Sequence, residues 1–321
     1  MKIEDLKYDL PTTIIDEENF DIEIWRRKNP MDYLKALYLV LSSSTLVPAM
    51  PSNLAMDTTF KTIYVVTRQY IPDTLYKFYG LSDDENLNTK KLSTLQNKQI
   101  FMSDIKDFND PFDGKAFYYN SDALRNVECL KSHNGKFIDD FTTFIKATSL
   151  TENDPNSMPM WAHYANNHQG FCVSYDMKES ANNALSACTF PVQYTNQRLD
   201  ITSFMKKYAT SISNEIDNQI SSSSKQIYIS DLSLIYIAQF LYNIKHTTWQ
   251  YEKEFRCTTG AIAKGMPYIE AIPKAIYIGM KCCPKNRLQL LSIANTLSIP
   301  IYQMKFNEFS SDYTIEAELI D

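Results

Sequence analysis

The chain has 321 residues, 44% of them hydrophobic and 22% charged, with a formal net charge of -6. These values suit a core-forming protein of one large domain or two ordinary ones, and the charge gives no overall pull toward nucleic acid or anionic membrane, although a local basic groove stays open. Only 7 glycines are present, and neither GxGxxG nor GxxxxGK[ST] occurs, so a phosphate-cradling loop is not expected.

Residues 1–70 read as an α-helical amino-terminal extension. Its opening, MKIEDLKYDL, is acidic and mixed, unlike a secretory signal. Pro30 to Ser44 has helical character, with Leu34, Leu37, Tyr38 and Leu41 on one face and Pro48 and Pro51 as stops beyond it. Thr62 to Val66 suits a short strand or a helix end. No chemistry is visible here, and the expected role is docking on the main domain or self-association.

The main domain is read over residues 71–321. Thr74 to Tyr79 alternates like a strand, Asn86 to Asn97 is helical with Leu92 and Leu95 turned inward, and Gln99 to Ser103 is a second strand. Asp107 to Asp113, DFNDPFD, is a turn. Its two phenylalanines would anchor it to a core and hold Asn109 and Asp110 in fixed directions; alternatively those two side chains bond only the local backbone. Asp122 to Lys146 reads as loosely helical, with Phe137, Phe141 and Phe144 as a core stripe, and Thr151 to Met158 as a loop. In MWAHYANNHQGFCVSYD, Trp161 to Asn166 suits one or two helical turns, Gly170 stops them, and Phe171 to Tyr175 is a strand. His163 and His168 are poorly spaced to chelate one metal, and no neighbouring cysteine or carboxylate completes a zinc set. His168 is the better ligand contact; His163 reads as a hydrogen-bonded core histidine.

Further on, Ser180 to Ala187 is helical, Phe190 to Tyr194 a strand, Thr202 to Asn218 a helix and Ser221 to Ser224 a flexible link. Asp231 to Lys245 carries the strongest amphipathic stripe, built on Leu232, Ile235, Phe240 and Leu241. Ala275 to Gly279 is a buried strand, Pro284 to Leu297 a helix and Ile301 to Phe306 a closing strand. This order mixes α and β without βαβ repeats, which argues for an α+β fold. The longest apolar-rich runs, Tyr33 to Leu41 and Leu232 to Ile244, are too short or too polar to span a bilayer. The six cysteines form no CxxC pair and are read as reduced thiols, so a soluble cytoplasmic protein with no membrane partner is expected.

The stretch with chemistry in it is Trp249 to Arg256, WQYEKEFR. As a strand it puts Trp249, Tyr251, Lys253 and Phe255 on one face and Gln250, Glu252, Glu254 and Arg256 on the other. The two carboxylates then stand roughly 6–7 Å apart, within reach of one small polar ligand. Their repulsion raises the proton affinity of one, and Arg256 relieves part of it. The plainer alternative is an amphipathic strand whose charged face meets water.

Taken together, LYKFY, FNDPFD, MWAHYANNHQGFCVSYD and WQYEKEFR resemble, in that order, the motifs of a widespread bacterial domain family of unknown function, over roughly Leu75 to Tyr302. The layout is also similar to a divergent ADP-ribosyltransferase-like fold: a mixed split β-sheet flanked by helices that clamps NAD as substrate. That resemblance implies a basic or polar residue on an early strand (Tyr76, Lys77), a hydroxyl or aromatic from a middle element packed on the nicotinamide (Tyr164 with Trp161), and a late Glu-x-Glu (Glu252, Glu254), with Glu254 as the catalytic acid. Two departures stand out, Lys77 where His or Arg is usual and Trp-x-x-Tyr in place of Ser-Thr-Ser. The implied chemistry is coherent, since cleavage of NAD develops positive charge on the ribose that a carboxylate can stabilise. Lys77 or Arg256 can meet the pyrophosphate, Trp161 or Tyr164 can stack on a ring, and Asn109, Asp110 or His168 can contact the rest of the nucleotide or the acceptor. The expected function is therefore an NAD-consuming ADP-ribosyltransferase or NAD glycohydrolase, a toxin-like effector of antiviral defence. It would take a protein or nucleic-acid acceptor and work with a second copy of itself or a defence-system partner. The competing expectations are a non-enzymatic ligand-binding module and a Mg²⁺-dependent nucleic-acid-modifying effector using Asp110, Asp113, Glu252 and Glu254.

Overall fold

The computed structural model describes residues 68–137, 145–222, 226–228, 242–260 and 267–320, with Ile24, Arg26 and Lys28. The helix expected at Pro30 to Ser44, the element at Thr62 to Val66, Phe141 and Phe144, Ser223 and Ser224 of the serine link and most of the Asp231 to Lys245 helix lie outside them. The chain divides into two compact units. One takes Ile71–Ser103, Lys146–Val192 and Trp249–Asp321; the other takes Met1–Tyr70, Asp104–Ile145 and Gln193–Thr248.

The first unit is mixed α and β. In chain order it contains β1 (Thr74–Tyr79), α1 (Glu85–Gln96), β2 (Gln99–Phe101), β3 (Ile145–Thr151), α2 (Met158–Tyr164), β4 (Phe171–Asp176), α3 (Asn183–Ala187), β5 (Thr189–Pro191), β6 (Glu254–Gly260), β7 (Tyr268–Glu270), β8 (Pro273–Ile278), α4 (Pro284–Leu297), β9 (Ile301–Phe306) and β10 (Ile315–Leu319). The main sheet runs β10-β9-β8-β4-β1-β3-β6-β5, and β2 pairs with β7 apart from it. The β8–β9 pair is parallel, joined through α4, whereas β1–β4, β4–β8, β9–β10, β5–β6 and β1–β3 are antiparallel.

Local chemistry explains the boundaries. Asp84 caps α1 by accepting the Leu87 amide at 3.0 Å. Pro284 occupies the first turn of α4, where a missing N–H costs nothing, and Ser298 ends that helix in the left-handed region. Strand alternation sends Leu75, Val173, Tyr175, Ile276, Ile278 and Cys257 to one face, where they join Leu92 and Leu95 of α1 and Leu290 and Ile293 of α4 in the larger core. The opposite face carries Tyr76, Phe78, Cys172 and Tyr277, packed with Trp161 and Tyr164 of α2.

Several expectations are corrected. Ile145–Thr151, whose first two residues fall in the expected helix and whose last falls in the expected loop, is the strand beside β1. Phe190 to Tyr194 is two short strands, Thr189–Pro191 and Gln193–Thr195, in different sheets. Ile301–Phe306 does not close the fold, because β10 follows and pairs with it.

In the second unit, Phe117–Tyr118 pairs parallel with Leu199–Asp200, and Ile244–His246 pairs parallel with Gln193–Thr195. The helix Thr202–Ser221 meets the turn at Glu128–His133 through the Ser213 hydroxyl, 3.2 Å from the Cys129 amide nitrogen. The FNDPFD turn is inverted relative to expectation. Phe112 is 54% exposed, while Asp110 and Asp113 are buried at 4% and 5%. Asp110 Oδ1 accepts the Phe112 amide at 2.9 Å, the local Asx turn that supplies the buried carboxylate with a donor.

Candidate functional site

The strand expected over Trp249 to Arg256 begins only at Glu254. The residues before it, Thr247–Glu252, form a 3-10 turn, and Lys253 between the two acids is left-handed at φ 43°. That reversal takes Glu252 out of the alternation, so the two carboxylates are not i, i+2 neighbours on one strand face. Neither do they meet water: Glu252, Glu254 and Arg256 are 3%, 4% and 0% exposed.

Once β6 begins, Phe255 and Cys257 face the large core, and Glu254 and Arg256 the other side. A buried charge is tolerated only when paired and hydrogen-bonded. Arg256 supplies both, with Nε 2.7 Å from Glu254 Oε1 and Nη2 3.1 Å from Oε2, a two-point fork that a lysine could not form. Ser149 of β3 adds its hydroxyl to Glu254 Oε1 at 2.5 Å.

Glu252 has a different set of partners. The Tyr164 hydroxyl donates to its Oε1. Thr151 Oγ1 donates to its backbone carbonyl at 2.6 Å, and Asn153 Nδ2 to that of Tyr251 at 2.7 Å. The Glu152 amide donates to the Lys253 carbonyl at 3.2 Å. The end of β3 and the loop after it thus lock the turn that carries Glu252.

Tyr76 and Lys77, expected to act together, point to opposite faces. Tyr76 lies on the Glu254 side as the Cα partner of Thr151. Lys77 lies on the other side and reaches between strands, Nζ donating to the Ser149 carbonyl at 3.0 Å. Burial pushes its pKa down to about 8, opposed by the negative charge of Glu254.

Trp161 is fully buried. Its Nε1 donates to Pro155 O at 2.6 Å, Phe78 meets it edge-on at 5.2 Å, and the His168 ring stacks on it at 6.0 Å and 10°. Trp161 therefore supports the site from beneath instead of offering a ring to a ligand. His163, expected in the core, is exposed. His168 is half-buried, its pKa lowered by burial and then by Lys281. It closes a run of three left-handed residues, Asn166, Asn167 and His168, at φ 47°, 54° and 69°. A Cβ at Gly170 would collide with the Tyr79 carbonyl oxygen, and one at Gly279 with that of His168, so this loop needs glycine on both sides of its closest approaches.

The cluster in this unit is thus Lys77, Ser149, Thr151, Tyr164, Glu252, Glu254 and Arg256, flanked by Tyr76; Asn109 and Asp110 belong to the second unit. Ser149 and Thr151 escaped the sequence reading. Their signal was the β-branched run IKATSLT, whose residues are mostly buried on both faces and so do not alternate in polarity. Chemically, the cluster is a preorganised carboxylate with a serine hydroxyl on the neighbouring strand β3 and an amine from β1, the strand beyond it. Among the described residues, no three His, Cys, Asp or Glu side chains converge to hold a metal, and no helix is long and apolar enough to cross a membrane.

A family model described as a protein of unknown function (DUF2971) matches residues 160–257. The match begins in α2 and ends in β6, so it takes in Tyr164, Glu252, Glu254 and Arg256, while Lys77 and Ser149 precede it. No curated protein and no solved structure matches the chain.

Proposed function

We propose that this chain is an NAD-consuming enzyme, an ADP-ribosyltransferase or NAD glycohydrolase, with Glu254 as the acid that stabilises the ribosyl cation. The observation that carries the reading is the side-by-side set Lys77, Ser149 and Glu254 on the adjacent strands β1, β3 and β6, joined through the Ser149 hydroxyl and carbonyl. The ADP-ribosyltransferase-like pattern asks for a basic residue, a hydroxyl and a glutamate on early, middle and late elements. Ser149, in the run Thr148-Ser149-Leu150-Thr151, suits the hydroxyl position better than Tyr164 does. A split sheet is also favoured by the β1–β3 seam, where Tyr76 and Thr151 form the register pair and Lys77 reaches into the gap.

In this mechanism a ribose hydroxyl of NAD displaces part of the Arg256 fork and hydrogen-bonds to Glu254, whose charge offsets the positive charge that develops as the glycosidic bond to nicotinamide breaks. Ser149 keeps the carboxylate oriented. Glu252, steadied by Tyr164, orients or deprotonates the acceptor, which is water in a glycohydrolase and a protein or nucleic-acid group in a transferase. A toxin-like role in antiviral defence follows from the cost of NAD depletion to a cell.

The test is nicotinamide release from NAD by the purified full chain. Glu254→Gln is expected to lower the rate by about a hundredfold or more; equal rates in wild type and variant would sink the assignment. One observation favours a second reading, a binding module without turnover: both oxygens of Glu254 are already engaged by protein groups. Calorimetric binding of NAD with no nicotinamide released would select that reading.

A further inference from the structure

The same face of the sheet carries three tyrosines in a row that the acid cluster does not use. Tyr76 of β1 and Tyr277 of β8 stand on either side of β4, whose residues on this face, Cys172 and Ser174, are small. The two rings therefore meet across it edge-on, at 6.3 Å and 61°. Tyr277 and Tyr302 are Cα partners on parallel strands and stack at 5.0 Å and 13°. All three are half-buried, while Phe78, Trp161, Cys172 and Met304 around them are buried. Burial raises the Tyr76 phenol to about 12 and raises Tyr277 as well, so both are neutral donors at physiological pH. The exposed Asp154 carboxylate bears on both phenols. Flat faces, neutral donors and a nearby anion suit a heteroaromatic ring and repel a phosphate.

We infer that this row is a stacking strip for the purine base of the nucleotide substrate, an inference that rests on the NAD reading for the identity of that nucleotide. The occupant follows from continuity with the acid cluster. Tyr76 is the Cα partner of Thr151, and Thr151 Oγ1 holds the Glu252 carbonyl at 2.6 Å. The strip therefore starts two strand spacings, about 10 Å, from β6 and leads away from it through Tyr277 to Tyr302. A nucleotide with its ribose at Glu254 lays its base along this direction, and Asp154 keeps its phosphates off the strip.

The probe is adenosine, which carries the base and no nicotinamide, titrated calorimetrically into the full chain. Wild type should bind it. Tyr277→Leu combined with Tyr302→Leu should weaken binding by about tenfold or more, and Tyr277→Phe, which keeps the ring, should change it by less than about threefold. Nitration of the wild-type tyrosines, mapped by mass spectrometry, needs no variant to fold, and adenosine should slow modification of Tyr277 and Tyr302. Absence of adenosine binding, undiminished affinity in the folded double variant, or no protection would overturn the strip. NAD cleavage without adenosine binding removes the strip and keeps the enzyme. Adenosine binding lost with the tyrosines, in a protein that releases no nicotinamide, keeps the strip and removes the enzyme.

Discussion

The two faces of the main sheet are built from the same strands by opposite means. On the face of Leu75, Val173, Ile276 and Ile278, apolar side chains meet the inner surfaces of α1 and α4, and stability follows from area removed from water. On the other face, β6 buries Glu254 and Arg256 against the half-buried Ser149 of β3, and β1, β4 and β8 contribute Tyr76, Ser174 and Tyr277. Here burial is unfavourable until each charge finds its partner. The first face tolerates any shape that fills it; the second depends on particular atoms at particular distances, and that is where a reaction can be housed.

The difference is broken most severely at Arg256. Arg256→Met takes the two-point guanidinium fork away from the buried Glu254 carboxylate, and should destabilise the protein by about 3–5 kcal/mol. Removing both charges, with Glu254→Met added, should recover most of that loss, because the desolvation cost disappears with the pair. Denaturant midpoints of the two variants decide the matter; a double variant no more stable than the single one would mean the pair stabilises the fold outright. On the apolar face, Leu75→Ala should cost about 2–5 kcal/mol through lost burial and a residual cavity, with no partner substitution able to rescue it. A rescue at Leu75, or none at Arg256, would erase the contrast.

A smaller effect is expected at Tyr164→Phe, which strips the phenol donor from buried Glu252 and should cost about 1–3 kcal/mol. Nicotinamide release in this variant separates the two acids. If Glu254 carries bond cleavage and Glu252 only the acceptor, hydrolysis of NAD should fall much less in Tyr164→Phe than in Glu254→Gln. Equal losses would show that the acids act as one unit.

The apolar face was the more legible in sequence. Thr74–Tyr79, Pro284–Leu297 and Ile301–Phe306 match their expected bounds because alternation and a proline in the first turn are local signals. The polar face was not legible in the same way. A run such as Glu-Lys-Glu-Phe-Arg looks solvated until Arg256 is seen to fold back on Glu254 two residues away. The left-handed Lys253 carries no signature in a residue that is neither glycine nor asparagine. The FNDPFD turn misled for the same reason: the hydrophobic rule favours burying Phe112, whereas the hydrogen bond within the turn lets Asp110 go inside instead. The sequence reading singled out Trp161 and Tyr164 and passed over Ser149, which only the strand order brings beside Glu254.

The most delicate expectation concerns Lys77, which starts on the apolar face and ends in the seam that leads to the other. Its folded pKa of about 8 lies below the 10.5 of an ordinary lysine, so the folded state releases this proton first. Between those two values the unfolded chain binds more protons, and the contribution of Lys77 to stability rises with pH; below about 8 both states hold the proton and the full burial penalty stands. Lys77→Gln removes the penalty, so the stability of this variant relative to wild type should be greatest near pH 7 and shrink as pH rises toward 10. Lys91, Glu254 and Cys257, which act on the ammonium, are common to both proteins and leave this difference to Lys77 itself. Unfolding midpoints of the pair across that range measure it, and a difference that stays flat would place the ammonium in water on the apolar side, not in the seam beside Ser149.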